Sequence, residues 1–133
     1  MPFLLDTNVC IGILTGRSPK AIEKLRQLMP TEVRICSVVR AELQFGARNS
    51  SRVEANLSLL ETFLFPFTSV VFDDGAANYY GRIRADLHRE GKLIGPNDLL
   101  IAAMALANDL VLVTHNVKEF GRIPGLRWED WED

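Results

Sequence analysis

Short apolar runs alternate with longer helical patterns along the chain, and this alternation limits the fold more than any other feature of the sequence. Four runs have the character of buried strands and cover residues 3–5, 33–36, 69–72 and 110–114. The segments between them repeat apolar residues at helical spacing. Strands joined by helices pair in parallel, with helices over both faces of the sheet. We therefore predict an α/β sandwich of three layers around a mostly parallel sheet, with residues 126–128 as a further edge strand.

Capping residues predict where two of the helices begin. Thr7 or Asn8 can cap a first helix that runs to Leu14, and Asn97 can cap a helix over residues 98–107. Further helices are expected over residues 19–29, 38–47, 51–65 and 74–90.

The composition is that of a globular protein. The chain has 133 residues, of which 47% are hydrophobic and 24% are charged, and it contains no repeat or linker. We expect one domain over residues 1–133. No apolar stretch reaches the roughly 18 to 20 residues that cross a bilayer, and no basic residue precedes Arg17, so we expect a cytoplasmic protein without a membrane segment. Cys10 and Cys36 are expected to be reduced and buried, and His88 and His115 lack the nearby cysteines of a zinc site.

Polar groups occur where predicted strands end or the following helices begin. Asp6 follows the first strand, Glu42 lies on the helix after the second, and Asp98 lies in the first turn of the helix over residues 98–107. Asn116 and Glu119 follow the strand over 110–114. Ligands of open parallel sheets bind beyond the carboxyl ends of the strands, so these groups are expected to converge.

Each acid also has an ordinary structural interpretation when it is taken alone. Asp6 can be a helix cap, Asp98 is favoured by the helix dipole, and Glu119 can be a solvated surface charge. Glu42 is the hardest to explain in this way. It shares a predicted helix face with Val38, Ala41 and Phe45, among which an unpaired carboxylate would be costly.

Converging carboxylates repel one another unless a cation compensates them. Hard oxygen ligands suit Mg²⁺ or Mn²⁺, and such ions support phosphoryl chemistry. The net charge of −2 argues against a broad basic surface for nucleic acid, but it leaves room for arginines around such a site. The residues thus indicate a metal-dependent nuclease.

Two other α/β enzyme classes need residues that this chain lacks. A phosphatase of the haloacid dehalogenase type would have a second Asp at the position of Asn8, and a receiver domain would have paired acids after the first strand. The nucleotide-binding motifs GxxxxGK[ST] and GxGxxG are absent.

Four stretches, in order and spanning the chain, resemble PIN-domain proteins and more narrowly the VapC toxins of bacterial toxin–antitoxin pairs. They are "LLDTNVCIGIL", "SVVRAEL", "IGPNDLLIAAMAL" and "LVTHNVKEFGRIPGLRWEDW". The resemblance implies a Mg²⁺-dependent endoribonuclease that cuts RNA such as tRNA, arrests translation and is neutralised by a small VapB-like antitoxin. An inert RNA-binding or partner-binding PIN fold, or a nuclease acting on DNA or flap structures, are the alternatives.

The resemblance also suggests site residues. The family's first three acids match Asp6, Glu42 and Asp98, of which Asp98 or Glu42 would also orient the attacking water. Many PIN domains have a fourth acid where this chain has Asn116, and Glu119 three residues on is the substitute.

Supporting and RNA-binding residues complete the predicted site. Asn8 and Thr114 match an amide and a hydroxyl that accompany the family's acids. Arginines near the acidic junctions are the candidates for phosphate contacts, and they are Arg17, Arg40, Arg48, Arg82 and Arg84.

Apolar helical segments over residues 18–29 and 51–65, with "FLFPF" at 63–67, either face the core or form interfaces. The resemblance favours interfaces: a homodimer, and a groove between early helices that holds the antitoxin. It also implies an antitoxin arginine that enters the acidic site.

Overall fold

A computed structural model describes residues 1–132, and five parallel strands form its central sheet. The strands are β1 (Phe3–Leu5), β2 (Val33–Cys36), β3 (Thr68–Val70), β4 (Val111–Val113) and β5 (Trp128–Glu129). Their order across the sheet is β3-β2-β1-β4-β5, and each neighbouring pair is parallel. The predicted α/β class and parallel sheet are confirmed.

Seven α-helices connect the strands of the described chain. They are α1 (Thr7–Leu14), α2 (Pro19–Arg26), α3 (Ser37–Arg48), α4 (Val53–Leu64), α5 (Asp74–Arg89), α6 (Pro96–Ala107) and α7 (Val117–Phe120). Helix α7 was not predicted from the sequence, because four residues are too few to show a helical period. None of the helices within residues 1–132 has both the length and the apolar character needed to cross a membrane.

The core lies around β1, the central strand. Leu4 and Leu5 are fully buried, as are Ile35 on β2 and Leu112 on β4. Helix α1 packs against α2, α3 and α4, α5 packs against α6, and α3 also contacts α6. A strand covered on both faces needs apolar residues at successive positions, which explains the unbroken run in β1.

The cap of α1 differs from the prediction. Asp6, and not Thr7 or Asn8, is the N-cap, and its carboxylate accepts a hydrogen bond from the Val9 backbone N–H at 2.9 Å. The reason is that β1 ends at Leu5 and α1 begins at Thr7. A single residue therefore separates strand from helix and takes the capping position.

The start of α6 also differs from the prediction. Gly95 is the N-cap and Pro96 is the first helical residue, so Asn97 lies inside the helix. Proline is favoured at this position because its missing N–H would have no partner in the helix. Asp98 remains in the first turn, as predicted.

The segment after β5 folds back onto the start of the chain. Trp131 is 5% exposed, and its ring packs edge-on against Phe3 with centroids 5.4 Å apart. The indole N–H donates to Glu129 at 3.0 Å. Nearby, the Ser18 hydroxyl donates to Glu132 at 2.7 Å, which ties the segment to the start of α2.

Replacing Trp131 with Ala should therefore lower the free energy of unfolding by about 3–5 kcal/mol, because a buried aromatic side chain is removed. Trp128→Ala is the matched control, since Trp128 is 41% exposed on the edge strand, and it should cost about 1 kcal/mol or less. Urea denaturation followed by circular dichroism measures both values. Equal losses in the two variants would contradict the anchoring role of Trp131.

Candidate active site

The site lies between β1 and β4, where the order in which the chain adds strands to the sheet reverses. From β1 the chain proceeds to β2 and β3 on one side, and later to β4 and β5 on the other. Asp6 follows β1 and Thr114 follows β4, and the Asp6 backbone N–H donates to the Val113 carbonyl at 3.1 Å. Such a reversal opens a crevice beyond the carboxyl ends of the two strands.

Asp6 is the most firmly held acid of this crevice. It is 7% exposed, and its carboxylate is hydrogen-bonded to the Val9 N–H and the Thr114 side chain. Burial nevertheless raises the pKa of Asp6, and the charges of Glu132 and Glu42 raise it further against the two hydrogen bonds. A bound cation would stabilise the charged form of a buried carboxylate that has two acidic neighbours.

The apolar face that Glu42 was predicted to share with Val38, Ala41 and Phe45 is not the core face of α3. The buried face of α3 is formed by Val39, Leu43 and Ala47, while Phe45 is 69% exposed. Both faces of α3 carry apolar residues, and the pattern by itself did not distinguish the core from an exposed apolar surface.

A hydrogen bond directs Glu42 toward the crevice instead. The Thr7 hydroxyl donates to Glu42 Oε1 at 2.7 Å. Thr7 is the residue after Asp6, so this bond brings the second acid beside the first. The short β1–α1 junction thus supplies one carboxylate and orients another.

Asp98 shows that four carboxylates share one electrostatic environment. Its pKa is raised to about 6, first by desolvation and then by the charges of Glu119, Asp6 and Glu42. The charges of Asp6, Glu42 and Glu119 therefore act on Asp98 in the folded chain, and these are the four acids that the sequence analysis proposed.

Asn116 and Glu119 occupy different places in this arrangement. The Asn116 side-chain amide donates to Glu119 at 3.3 Å, and its backbone N–H donates to the Thr114 hydroxyl at 3.0 Å. Glu119 lies on α7, and its charge acts on Asp98. Asn116 thus orients a carboxylate in the metal-free chain.

The donor set fits a hard divalent cation. None of the four acids forms an ion pair with a lysine or arginine within residues 1–132, and two of them have raised pKa values. Mg²⁺ or Mn²⁺ would bind these carboxylate oxygens and compensate their negative charge, which no lysine or arginine of the described chain compensates.

A second group near the site was not anticipated from the sequence. His115 lies 2.9 Å from Asp130 and 3.3 Å from Glu132, and ligand atoms of these three residues lie within 4.8 Å of one another. The imidazole joins the carboxyl-terminal segment to the residue after Thr114. The only sequence signal for this group was the acidic run "WEDWED", which has no local pattern that places it near Asp6.

The five candidate arginines have different surroundings. Arg17 lines a cavity together with Asn8. Arg40 is half-buried and donates to the Phe67 carbonyl at 3.2 Å. The other three interact with residues of their own helices: Arg48 with Gln44, Arg82 with Tyr79, and Arg84 with Tyr80.

Comparisons with known proteins agree with this geometry. The family model of the PIN domain matches residues 3–126. A ribonuclease VapC2 from Rickettsia felis is 40% identical over 99% of both chains, and a tRNA(fMet)-specific endonuclease VapC from Shigella flexneri is 39% identical over 98% of both. The crystal structure of VapBC2 from Rickettsia felis bound to a promoter DNA fragment contains a chain that superposes with a TM-score of 0.92, at 40% identity, over 98% of this chain and 99% of that one.

The raised pKa of Asp98 predicts how the stability of the metal-free protein depends on pH. The folded chain binds this proton with a pKa of about 6, against an ordinary value of 3.8. The folded state therefore holds more protons between these values, and the free energy of unfolding should decrease as pH rises through this interval. Asp98→Asn should weaken that dependence and raise the melting temperature at neutral pH in EDTA.

Thermal unfolding in EDTA at about pH 5 and about pH 7.5 measures this effect. Glu90→Gln is the control, because Glu90 is exposed at the end of α5. A lower melting temperature of Asp98→Asn at neutral pH would contradict repulsion among the four acids.

Proposed function

The chain belongs to the PIN-domain family and, within it, to the VapC ribonucleases, and we propose that its four acids hydrolyse RNA with a bound Mg²⁺ or Mn²⁺. It is an endoribonuclease and the toxin of a toxin–antitoxin pair. The observation that carries the proposed metal site is the position of Asp98, whose carboxyl is influenced by the charges of three other acids at the sheet's point of reversal.

The four acids have different roles in this proposal, which follow from how firmly each side chain is fixed by hydrogen bonds. A bound divalent cation supplies charge for the scissile phosphate and lowers the pKa of water. Asp6, fixed by two hydrogen bonds, and Glu42, fixed by Thr7, are the rigid ligands. Asp98 has the greater tendency to take a proton, since its pKa is already raised. We assign to Asp98 the orientation of the attacking water.

We assign the fourth acidic position to Glu119. Its charge reaches Asp98, whereas the Asn116 amide donates to Glu119 and its backbone N–H contacts Thr114. A side-chain amide can offer a cation only its neutral oxygen, whereas Glu119 offers a charged carboxylate, which suits a hard divalent ion better. Asn116 is therefore a positioning residue in this proposal.

The proposed substrate class is tRNA in the cytoplasm. The relative from Shigella flexneri is named as specific for tRNA(fMet), and identity extends over nearly the whole of both chains. Initiator tRNA is consequently the first RNA to test. Loss of this tRNA would stop translation at initiation, which accounts for toxicity.

An apolar groove is the proposed site of a VapB-like antitoxin. It has a volume of about 290 Å³ and lies between α1, α3 and α4, with Leu14, Leu43 and Leu59 among its lining residues. Glu42 lines the same groove. A segment bound there has direct access to the acidic crevice, so an antitoxin arginine can compensate the charges that otherwise favour a metal.

A homodimer is the proposed state of the toxin. Met29, Phe45 and Phe65 are 67%, 69% and 90% exposed, so large apolar side chains on α3 and just beyond the ends of α2 and α4 do not face the core. Exposed aromatic and thioether side chains of this size are typical of interfaces. Size-exclusion chromatography of the chain alone and with its antitoxin tests both assemblies.

The nuclease prediction concerns Asp98. Asp98→Ala should reduce cleavage of initiator tRNA at least about a thousandfold, because the substitution removes both a metal ligand and the group that orients water. Cleavage by the wild-type chain should require Mg²⁺ or Mn²⁺ and stop with EDTA. Circular dichroism checks that the variant remains folded, and Glu90→Gln should cleave normally.

The same assay separates the alternatives. Cleavage of DNA or flap substrates in preference to RNA would indicate the other nuclease class. Binding of RNA without metal-dependent cleavage would indicate an inert PIN fold. Glu119→Gln should lower activity more than Asn116→Ala, and the reverse order would exchange the two assignments.

The antitoxin prediction concerns Leu59, which is 62% exposed beside the groove. Leu59→Asp should weaken antitoxin binding at least about tenfold, since it puts a charge into an apolar contact. Nuclease activity without antitoxin should persist. The control is Leu93→Asp, at a site that is 43% exposed outside the groove. Calorimetric titration measures both affinities, and equal values would place the antitoxin elsewhere.

A further inference from the structure

A cavity separate from the antitoxin groove adjoins the acidic crevice. It has a volume of about 600 Å³, within the range of ligand-binding sites. It lies between α1, the turn that leads into α2, and the carboxyl-terminal segment. Its walls include Asn8, Gly12, Arg17, Lys20, His115 and Glu132, and we refer to it as the tail pocket.

We propose that the tail pocket binds the RNA nucleotide adjoining the scissile phosphate, with the phosphate of that nucleotide on Arg17 and Lys20. The proposal rests on the ribonuclease function of the crevice, because only an RNA strand cut there would extend into the pocket.

The pocket and the crevice share two segments of chain. Asn8 lies two residues after Asp6, and His115 directly follows Thr114, which hydrogen-bonds Asp6. Glu132, which also lines the pocket, is close enough for its charge to act on Asp6. A strand whose scissile phosphate lies at Asp6 therefore has this pocket as its immediate neighbour.

Arg17 and Lys20 are the cations available to a phosphate. Both are exposed, and neither forms an ion pair in the part of the chain that the structure describes. The Arg17 Nε donates to the Thr15 hydroxyl at 3.1 Å, which leaves the other guanidinium donors for a ligand. Guanidinium and ammonium groups without a carboxylate partner are well suited to phosphate oxygens.

The remaining charged groups of the pocket are engaged with one another. His115 lies against Asp130 and Glu132, and Glu132 also accepts the Ser18 hydroxyl. Glu132 is the pocket's only carboxylate among its described lining residues. The charged lining residues without an ion pair among the described residues are consequently the two cations Arg17 and Lys20, which favours an anion over a cation.

The floor of the pocket suits a nucleoside. Ile11, Gly12 and Pro19 provide an apolar surface, and the exposed Asn8 amide can hydrogen-bond a base edge. A Cβ at Gly12 would meet the Ser18 hydroxyl oxygen at 2.2 Å. Glycine thus permits the close approach of α1 to the start of α2, which forms this floor.

The test compares two double variants of equal charge. Arg17→Gln/Lys20→Gln removes the pocket cations, and Lys24→Gln/Arg26→Gln removes two exposed cations of the same helix outside the pocket. For initiator tRNA, the pocket variant should raise KM at least about tenfold with kcat within about twofold, while the control should match the wild type. Arg17→Lys/Lys20→Arg, which keeps both charges, should restore most of the affinity.

Salt dependence supplies a second measurement. In an Asp98→Asn background, the slope of log affinity for tRNA against log salt concentration should become less steep by about 0.7 in the pocket variant, because each single-stranded phosphate that a protein neutralises contributes about 0.7 to this slope and Arg17 and Lys20 share one phosphate. Circular dichroism and melting temperature verify that the variants are folded.

The results of these two measurements distinguish the tail-pocket proposal from the proposed ribonuclease function. Equal KM values and salt slopes for the pocket and control variants would overturn the pocket while leaving the ribonuclease intact. Weaker antitoxin affinity without a change in KM would also overturn it, by assigning the cations to the antitoxin. A wild-type chain that binds tRNA through Arg17 and Lys20 but never cleaves it would support the pocket and overturn the proposed function.

Discussion

Repulsion among four carboxylates at one edge of the sheet is the constraint on which the rest of this structure depends. Asp6, Glu42, Asp98 and Glu119 come from four separate segments of the chain, and burial together with the charges of the other three acids raises the pKa of Asp98 to about 6. Without compensation these groups destabilise the folded state. The fully buried side chains of β1 and its neighbours offset that cost and keep the acids in place.

The junction between β1 and α1 shows how local structure and function use the same atoms. Asp6 caps the helix, donates its backbone N–H to β4 and presents a buried carboxylate, while the next residue, Thr7, orients Glu42. A longer loop would free the cap from the site and leave the carboxylate less well fixed. The absence of a loop is thus what makes the first acid rigid, and it explains why a capping role for Asp6 did not exclude a catalytic one.

Local patterns predicted the elements well and the long-range contacts poorly. Strands over residues 3–5 and 33–36 were predicted with the observed limits, because buried parallel strands consist of continuous apolar runs. Helix α3 carries apolar residues on two faces, and their periodicity does not show which face packs in the core and which is an exposed surface. The sequence therefore did not show that Glu42 lies away from the core face. Glu132 and Ser18 form a hydrogen bond although they are 114 residues apart in the sequence. Helical and strand periodicity are local and cannot predict a contact between residues so far apart.

Glu42 belongs to both the acidic crevice and the apolar groove, and this shared position couples catalysis to inhibition. A cation bound among the acids and an arginine of a partner lying in the groove would compensate the same negative charge. Each ligand then lowers the affinity for the other by an equal factor, since coupling between two binding events is reciprocal. Within the described chain, the tail pocket is lined by no residue of α3 or α4, and the one lining residue that it shares with the groove is Ile11 on α1. RNA in the pocket and an antitoxin in the groove would therefore contact mostly different residues, and they would compete for the carboxylates that they share and for the space around Ile11.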